Sequence, residues 1–548
     1  MMGLRFSKEP LLCSAVVLSA AALFLAYAVG GTRAAQLWCF LLAFVLFLNL
    51  ADGFPRLRTP AALLLSAGAL LLTADTGLRG FLKSVYQSDL HSGFVVESVA
   101  NTHPGEAMEY LQTVWPDALL WSGLALLTLL IQVVAVRWLC RTPTRHEAPL
   151  RKLTLAVLVL CLLLSAAGWL IRPWRHQYPV ISWIRFANFV QAFKDDWATI
   201  EDERADEERA AAAQVLSSDV SPKTIVLMIG ESMTRDNMSL YGYPRKTTPE
   251  LSALAREDGG LRFIRDAWSA DASTVASFRS MFDFRLSSDG REPTGNLFAF
   301  FKAAGWHITW ISNQDDSAIK SEWAGYADDL IVLNRLSGRS TRSLDGVVLE
   351  PLRRALAEGS GRRLIVVHMI GAHPHFLLRH PEGMKPLWPD HDEISKAMDA
   401  AGRSAIVRLS REQYDLTVVY QDQILSQSLN LVRTAVGTDP ALWFYLSDHG
   451  VETGLHEDRT GHSQTTPSGY RIPLLMWASP PLAEKLRFSE MPNRSFRSDW
   501  LSPSLLDAAG IRWKEEVPSR SVFSEKYRWE APESKRRFEP EGATAATE

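Results

Sequence analysis

Cysteine is scarce in this chain and badly placed for cross-linking. The 548 residues contain four, Cys13, Cys39, Cys140 and Cys161. Residues 172–548 hold none, which excludes both a disulfide framework and a thiolate zinc site from that part of the chain. An excess of one charge is also lacking. Lys and Arg total 58 against 61 Asp and Glu, a net charge of -3, which argues against a general nucleic-acid binder. Histidine numbers only 13, so any clustering of it carries information. Apolar residues are not lacking. Hydrophobic side chains make up 47% and charged ones 22%, which excludes disorder throughout. At roughly 100–200 residues per domain, the length allows several domains.

The apolar residues are unevenly spread. Five apolar stretches fall at about 11–30, 35–51, 60–75, 117–136 and 153–171. A bilayer span needs roughly 20 apolar residues, with about 17 as the lower bound, so residues 1–171 read as a bundle of five transmembrane helices. The first stretch alone could pass for a signal peptide, but more apolar segments follow at once and no small-residue cleavage site is evident. Positive charge in short loops sets orientation. Arg5 and Lys8, then Arg56 and Arg58, then Arg137, Arg141, Arg145, Arg151 and Lys152 mark three cytoplasmic regions. The 76–116 loop and everything after the fifth span then face outward, into a periplasm if the source is Gram-negative.

Residues 172–215 read as interfacial and linker helices. Trp174, Tyr178, Trp183, Phe186, Phe189, Phe193 and Trp197 stand among Arg and Lys there, as amphipathic aromatics do at headgroup level. An acidic and then Ala-rich segment, 201–213, follows as a solvated helix. Residues 216–530 form the large outer domain. Short apolar runs at 223–230, 307–313, 329–333, 362–370, 441–447 and 473–478 alternate with helical patterns near 248–257, 274–283, 294–304, 344–358, 407–435 and 499–509. That alternation predicts an α/β domain with a mostly parallel sheet covered on both faces. Residues 531–548, rich in Pro, Glu, Lys and Ala, read as a disordered tail.

In open sheets of this kind ligands bind at the carboxyl ends of the strands. Glu231 follows the first run, and a carboxylate there is costly to bury unless paired or bound to metal. Asp448 and His449 follow the run 441–447 and supply an oxygen and a nitrogen that zinc accepts. His373 and His375 follow the run 362–370, and His456 and His462 lie beyond 450. The segment Ser269-Ala-Asp-Ala-Ser-Thr274 enters a helix. Thr274 is there either an N-cap or a metal-bound nucleophile at a helix terminus suited to a phosphoryl anion.

The run Glu231-Ser-Met-Thr-Arg-Asp-Asn-Met-Ser-Leu-Tyr-Gly-Tyr-Pro-Arg-Lys-Thr-Thr-Pro249 closely resembles the signature of bacterial phosphoethanolamine transferases of the alkaline phosphatase/sulfatase superfamily. The resemblance extends over nearly the whole chain, including Asn101, Thr102 and Glu106 in the outer loop. It implies a sulfatase/alkaline-phosphatase-like domain with zinc held by Glu231, Thr274, Asp448 and His449, and Thr274 as the attacking nucleophile. It implies substrate contacts from His373, from His462 (or His456), and from Asn313 and Gln314, with Lys320 near a lysine of some relatives.

The implied reaction takes phosphoethanolamine from phosphatidylethanolamine through a phosphothreonine and releases diacylglycerol. The acceptor is lipopolysaccharide core, lipid A or a periplasmic glucan. The implied setting is the inner membrane, multi-pass, with the catalytic domain in the periplasm, a monomer and no nucleic acid. Two departures stand out. Val451 interrupts the family's Asp-His-Gly-Glu, leaving the acid at Glu452. Ala270 and Ser280 occupy positions where lipid A-modifying relatives carry a disulfide flanking the nucleophile. A phosphoglycerol transferase, another phospho-hydrolase of the same fold and a membrane-tethered binding protein on a decayed scaffold are the alternatives. A sulfatase proper would need Cys or Ser in a modification motif, and the outer domain has no Cys.

Overall fold

The computed structural model describes residues 55–86, 114–141 and 178–539, apart from 220–221, 258–259, 286–293, 315–321, 335–343 and 359–360, with scattered positions elsewhere before 178. It divides into two units. One comprises Met1–Ala100 with Val114–Phe193, the other Asn101–Thr113 with Lys194–Glu548.

In the first unit, helices α1 (Pro55–Tyr86) and α2 (Trp115–Arg141) pack together. Within them Ala62–Val85 and Trp115–Val134 are long and apolar enough to cross a membrane. The first, second and fifth predicted spans lie largely outside the described residues. The third does not end near 75 as the sequence suggests, because α1 runs on to Tyr86. Two features permit this. Gly80 leaves room for Trp121, whose ring would come within 2.1 Å of a Cβ there. The buried charges Asp75 and Arg79 satisfy each other. Arg79 Nε donates to Asp75 one turn earlier at 3.1 Å, and Trp183 Nε1 donates to the same carboxylate at 3.1 Å. A buried charge in an apolar setting persists only when paired in this way.

Helix α3 (Pro179–Gln214) is shared between the units. Trp183, Phe186 and Phe189 of the predicted interfacial segment belong to its first part. Trp174 and the side chains of Phe193 and Trp197 lie outside the described residues. The acidic part is more than a solvated linker. Arg204 donates to the Gly325 carbonyl at 3.1 Å and lies over the Tyr326 ring, Tyr326 donates to Glu207, and Ala211 is buried.

The second unit is built on a seven-stranded sheet. Its strands are β1 (Thr224–Gly230), β2 (Arg262–Phe263), β3 (His307–Ser312), β4 (Asp329–Val332), β5 (Arg363–His368), β6 (Ala441–Ser447) and β7 (Leu474–Ala478), in the order β2-β7-β6-β1-β5-β3-β4. Strands β6, β1, β5, β3 and β4 are mutually parallel, while β7 is antiparallel to both β6 and β2. All six predicted runs are strands. The central ones are buried at every residue, as expected where helices cover both faces.

One face carries α4 (Pro249–Leu254), α7 (Leu349–Ala357) and α8 (Ala405–Val436). Leu251, Leu352, Val418 and Leu425 meet Val226, Val367 and Trp443 there. The other face is aromatic. Phe278 and Phe282 of α5 (Thr274–Phe282), Phe298 of α6 (Leu297–Ala303) and Trp310 of β3 form a chain of rings with centroids 4.9–5.3 Å apart. Edge-to-face contacts of this kind add to simple burial.

The tail does not read as its composition suggests. Residues Glu533–Phe538 form helix α10, after α9 (Leu501–Ala508), and α10 packs on the second unit. Polar residues alone would leave it solvated, but Phe538 joins Trp268, Ala272 and Tyr470 in an apolar cluster. Residues 540–548 lie outside the described residues.

Candidate active site

The register of two parallel strands creates the site. Ser447 of β6 pairs with Gly230 of β1, and the Asp448 amide donates to the Gly230 carbonyl at 3.0 Å. The next residues of each chain, Glu231 and Asp448-His449, therefore emerge side by side at the carboxyl edge, fully buried. Strand β5 flanks β1 on its other side, and the loop after β5 docks by the Ala372 amide on the Glu231 carbonyl at 2.8 Å.

Thr274 opens α5, but Ser273 is the N-cap residue. The Thr274 hydroxyl is thus released from capping. It donates to Glu231 Oε2 at 3.1 Å and lies 3.4 Å from His449 Nε2. The capping alternative therefore falls away.

His449 Nδ1 lies 2.8 Å from the Gly450 carbonyl, which can only accept. That bond assigns the proton to Nδ1 and leaves Nε2 bare, facing Asp448 Oδ2 at 3.3 Å and Glu231 Oε1 at 3.5 Å. Burial, with the neighbouring Glu231 carboxylate, pushes the Asp448 carboxyl well above the usual carboxylate range. Asp448 Oδ2 has no hydrogen-bond partner among the described residues. Two buried carboxylates, a bare imidazole nitrogen and a hydroxyl fit a zinc ion, whose charge would offset theirs.

Of the two histidines beyond residue 450, the structure brings His462 close to the centre and leaves His456 apart. Glu231, His449 and His462 offer ligand atoms that all lie within 4.8 Å of one another, and the His449 and His462 rings stand 4.6 Å apart. His456 is exposed. Burial, with His449 and His373 nearby, pushes His462 down to about 3. The hairpin of Glu452–Thr453 with Thr460–Gly461 delivers His462. Val451, the residue that departs from the signature, is buried in the apolar core. Glu452 is fully buried and accepts from the His456 amide at 3.0 Å.

Asn313 and Gln314 are buried inside the sheet edge. The Asn313 amide donates to Asp345 at 2.9 Å, and the Gln314 amide to the Met369 carbonyl at 2.6 Å. Lys320, Asn101, Thr102 and Glu106 lie outside the described residues.

Three further residues shape the site and are not evident from the sequence. Ser232 adopts a left-handed backbone with φ 57°, donates its hydroxyl to Glu231 Oε1 at 2.8 Å and gives its amide to Asp448 Oδ1 at 3.1 Å. A non-glycine residue held there is local strain of the kind that gathers at functional sites. Ser269 donates to the Asp448 carbonyl at 2.6 Å, tying the Thr274 loop to the Asp448 loop. Asp345, fully buried, accepts from Asn313, Gln421 and the amides of Ile370 and Gly371. Ser269 sits in a Ser-rich segment, which is only a faint signal, while Ser232 is the only serine in 224–238 and Asp345 stands alone in its segment.

A sulfatase family model matches residues 223–511. Phosphoethanolamine transferase EptC of Escherichia coli O18:K1:H7 is 30% identical over 330 residues, 56% of this chain and 55% of that protein. The chain thus spans about half the length of that relative. The C-terminal periplasmic domain of Escherichia coli EptC, solved in complex with zinc, aligns with a TM-score of 0.52 at 26% identity, covering 57% of this chain and 90% of that one. Integral membrane lipooligosaccharide phosphoethanolamine transferase A of Neisseria meningitidis aligns with a TM-score of 0.55 at 18% identity, covering 94% and 96%. At that identity it shows a shared fold.

Proposed function

This chain belongs to the sulfatase family, and we propose that it transfers phosphoethanolamine from phosphatidylethanolamine to an envelope acceptor through a covalent intermediate on Thr274. The observation that carries this reading is the Thr274 hydroxyl, uninvolved in capping and 3.1 Å from Glu231 in a buried group with Asp448 and His449. The similarity to phosphoethanolamine transferases supports the choice of transferred group.

Glu231, Asp448, His449 and Thr274 would hold zinc. When bound, zinc supplies positive charge that lowers the pKa of a coordinated hydroxyl and offsets charge on the phosphoryl oxygens. The chain's residues do the rest. Glu231 Oε2 accepts the Thr274 proton. Thr274 Oγ1 forms a bond to phosphorus as the bond to the diacylglycerol oxygen breaks, and the proton taken up by Glu231 passes to that oxygen. A hydroxyl or phosphate oxygen of the acceptor then attacks the same phosphorus and restores Thr274. His373 and His462 contact the phosphoryl group. His462 does so as a neutral imidazole, because its depressed pKa unsuits it to donate a proton near pH 7. Asn313 and Gln314, just after β3, contact the phosphoethanolamine group, and their bonds to Asp345 and the Met369 carbonyl hold them in place.

The acceptor is lipopolysaccharide core, lipid A or a periplasmic glucan. The setting is the inner membrane, with five spans, the catalytic unit in the periplasm and one copy per functional unit. A membrane anchor suits a lipid donor because it confines both to one surface.

The test is peptide mass spectrometry of the full-length protein after incubation with phosphatidylethanolamine. The expected result is a phosphoethanolamine adduct on Thr274, absent in Thr274→Ala and absent with phosphatidylglycerol. An adduct only with phosphatidylglycerol would make the enzyme a phosphoglycerol transferase. No adduct with either lipid, in zinc-loaded protein, would overturn a covalent mechanism.

A further inference from the structure

The segment that delivers Thr274 is weakly held by its own helix. Ser273 is the N-cap residue of α5 but makes no side-chain cap bond, so the position of Thr274 depends on anchors further back in the loop. Those anchors lead to the C-terminal helix α10. Ser534 donates to the Ser269 carbonyl at 2.9 Å, and Ser269 donates its own hydroxyl to the Asp448 carbonyl at 2.6 Å. Lys535 reaches Asp266 at 3.2 Å and stands 5.1 Å from the centre of the Trp268 ring, one residue before Ser269. Arg235 and Arg471 lie against the same ring at 5.5 and 5.6 Å, and Glu539 pairs with Arg471 at 2.5 Å. Phe538 packs on Tyr470, with ring centroids 5.7 Å apart, and the Tyr470 carbonyl accepts from the Ser269 amide at 2.7 Å.

We propose that α10 is a positioning clamp for the transfer reaction. It fixes the Trp268–Ser273 segment from outside, so that Thr274 Oγ1 keeps its place beside Glu231 and His449. Ser534, Lys535 and Phe538 touch no reacting atom and act through Ser269, Trp268 and Tyr470. The clamp replaces the missing cap bond. Three contact types share the load: a hydrogen bond to backbone, a cation over an aromatic ring and an apolar contact. The consequence for rate rests on the function proposed above, but the clamp itself does not.

The experiment uses full-length Phe538→Ala and Lys535→Ala, with Phe538→Tyr and Lys535→Arg as conservative counterparts. Hydrogen exchange at residues 268–273 reads the clamp without any substrate. Transfer kinetics per zinc-loaded molecule read its consequence. The alanine variants are expected to exchange faster at 268–273 while the β1 and β6 amides stay protected. Their kcat falls by about 10- to 100-fold with KM for the lipid donor near wild type, as misplacement of a reacting group predicts. The conservative variants recover both readouts. Unchanged exchange at 268–273 in both alanine variants overturns the clamp, whatever the kinetics. Faster exchange with undiminished kcat per zinc-loaded molecule overturns its part in positioning Thr274. Faster exchange in a protein whose wild type transfers nothing sustains the clamp and fails the proposed function alone.

Discussion

Gly371 lies against the backbone of Glu231 so closely that a Cβ at Gly371 would stand 2.4 Å from the Glu231 carbonyl oxygen and 2.6 Å from its amide nitrogen. Gly371 also has φ 53°, in the left-handed region, and Asp345 takes its amide at 2.8 Å. The loop carrying His373 can reach the centre only because this residue has no side chain.

Gly371→Ala should therefore strike the site and the fold together. The backbone conformation alone costs about 1–2 kcal/mol for an L side chain, and the clash must be relieved by moving Glu231 or the loop. Transfer should fall by about 100-fold, a loss in keeping with displacement of a reacting group by roughly 1 Å. Melting and transfer assays on the same preparation check this. Wild-type transfer in a folded Gly371→Ala protein would show that the loop is not needed at that distance.

Asp448→Asn keeps an oxygen for the Ser232 and His449 amides, which Asp448 Oδ1 now accepts at 3.1 and 2.6 Å. The loop should stay folded. The charge that a cation would neutralise is gone, so zinc affinity should drop by at least about tenfold, a loss that even residues behind the ligands can cause. Metal analysis and transfer should fall in parallel. Full zinc occupancy in the triple variant Glu231→Ala, Asp448→Ala, His449→Ala would place the metal elsewhere.

Much of this site was legible because strand ends are where open sheets display polar residues. Glu231, Asp448 and His449 stand directly after apolar runs long enough to be buried strands. The choice between His456 and His462 was not legible, because it depends on the two-residue hairpin at Glu452–Thr453 and Thr460–Gly461, too short to leave a pattern. The antiparallel sense of β7 was hidden for a similar reason, since a buried run reads the same in either direction. The helix α10 was misread because composition counts charges without their partners. Lys535 and Glu539 are polar, yet both are spent on Asp266 and Arg471.

A buried acid away from the centre should give stability a pH dependence of its own. Asp422 in α8 accepts the Glu250 and Leu251 amides at the start of α4, both at 2.9 Å. Burial nonetheless pushes its carboxyl from 3.8 to about 7. Between those values the folded protein holds a proton that the unfolded chain has released, so this group's contribution to stability falls as pH rises from about 4 to 7. The size is on the order of 1–3 kcal/mol. In Asp422→Asn the melting temperature should decline less than wild type from pH 5 to 8. Parallel curves would show that Asp422 ionises at its ordinary pKa.

The last part of α3 makes a sharper claim about where the second unit begins. By sequence the boundary falls near 215, after an acidic and Ala-rich helix that looks solvated. In the structure that helix donates Arg204 to the Gly325 carbonyl, receives the Tyr326 hydroxyl on Glu207 and buries Ala211. Tyr326 is itself buried, and its pKa is raised first by burial and then by its bond to Glu207. A chain starting at 194 keeps these contacts. A chain starting at 215 leaves the Tyr326 hydroxyl without Glu207 and exposes the surface under Ala211. A buried polar group stripped of its partner costs about 1–3 kcal/mol, so the shorter chain should melt several degrees lower. The Thr274 centre is built from β1, β6 and α5, which both chains retain, so zinc content should be equal in the two. Identical melting temperatures would return residues 194–214 to the role of a plain linker.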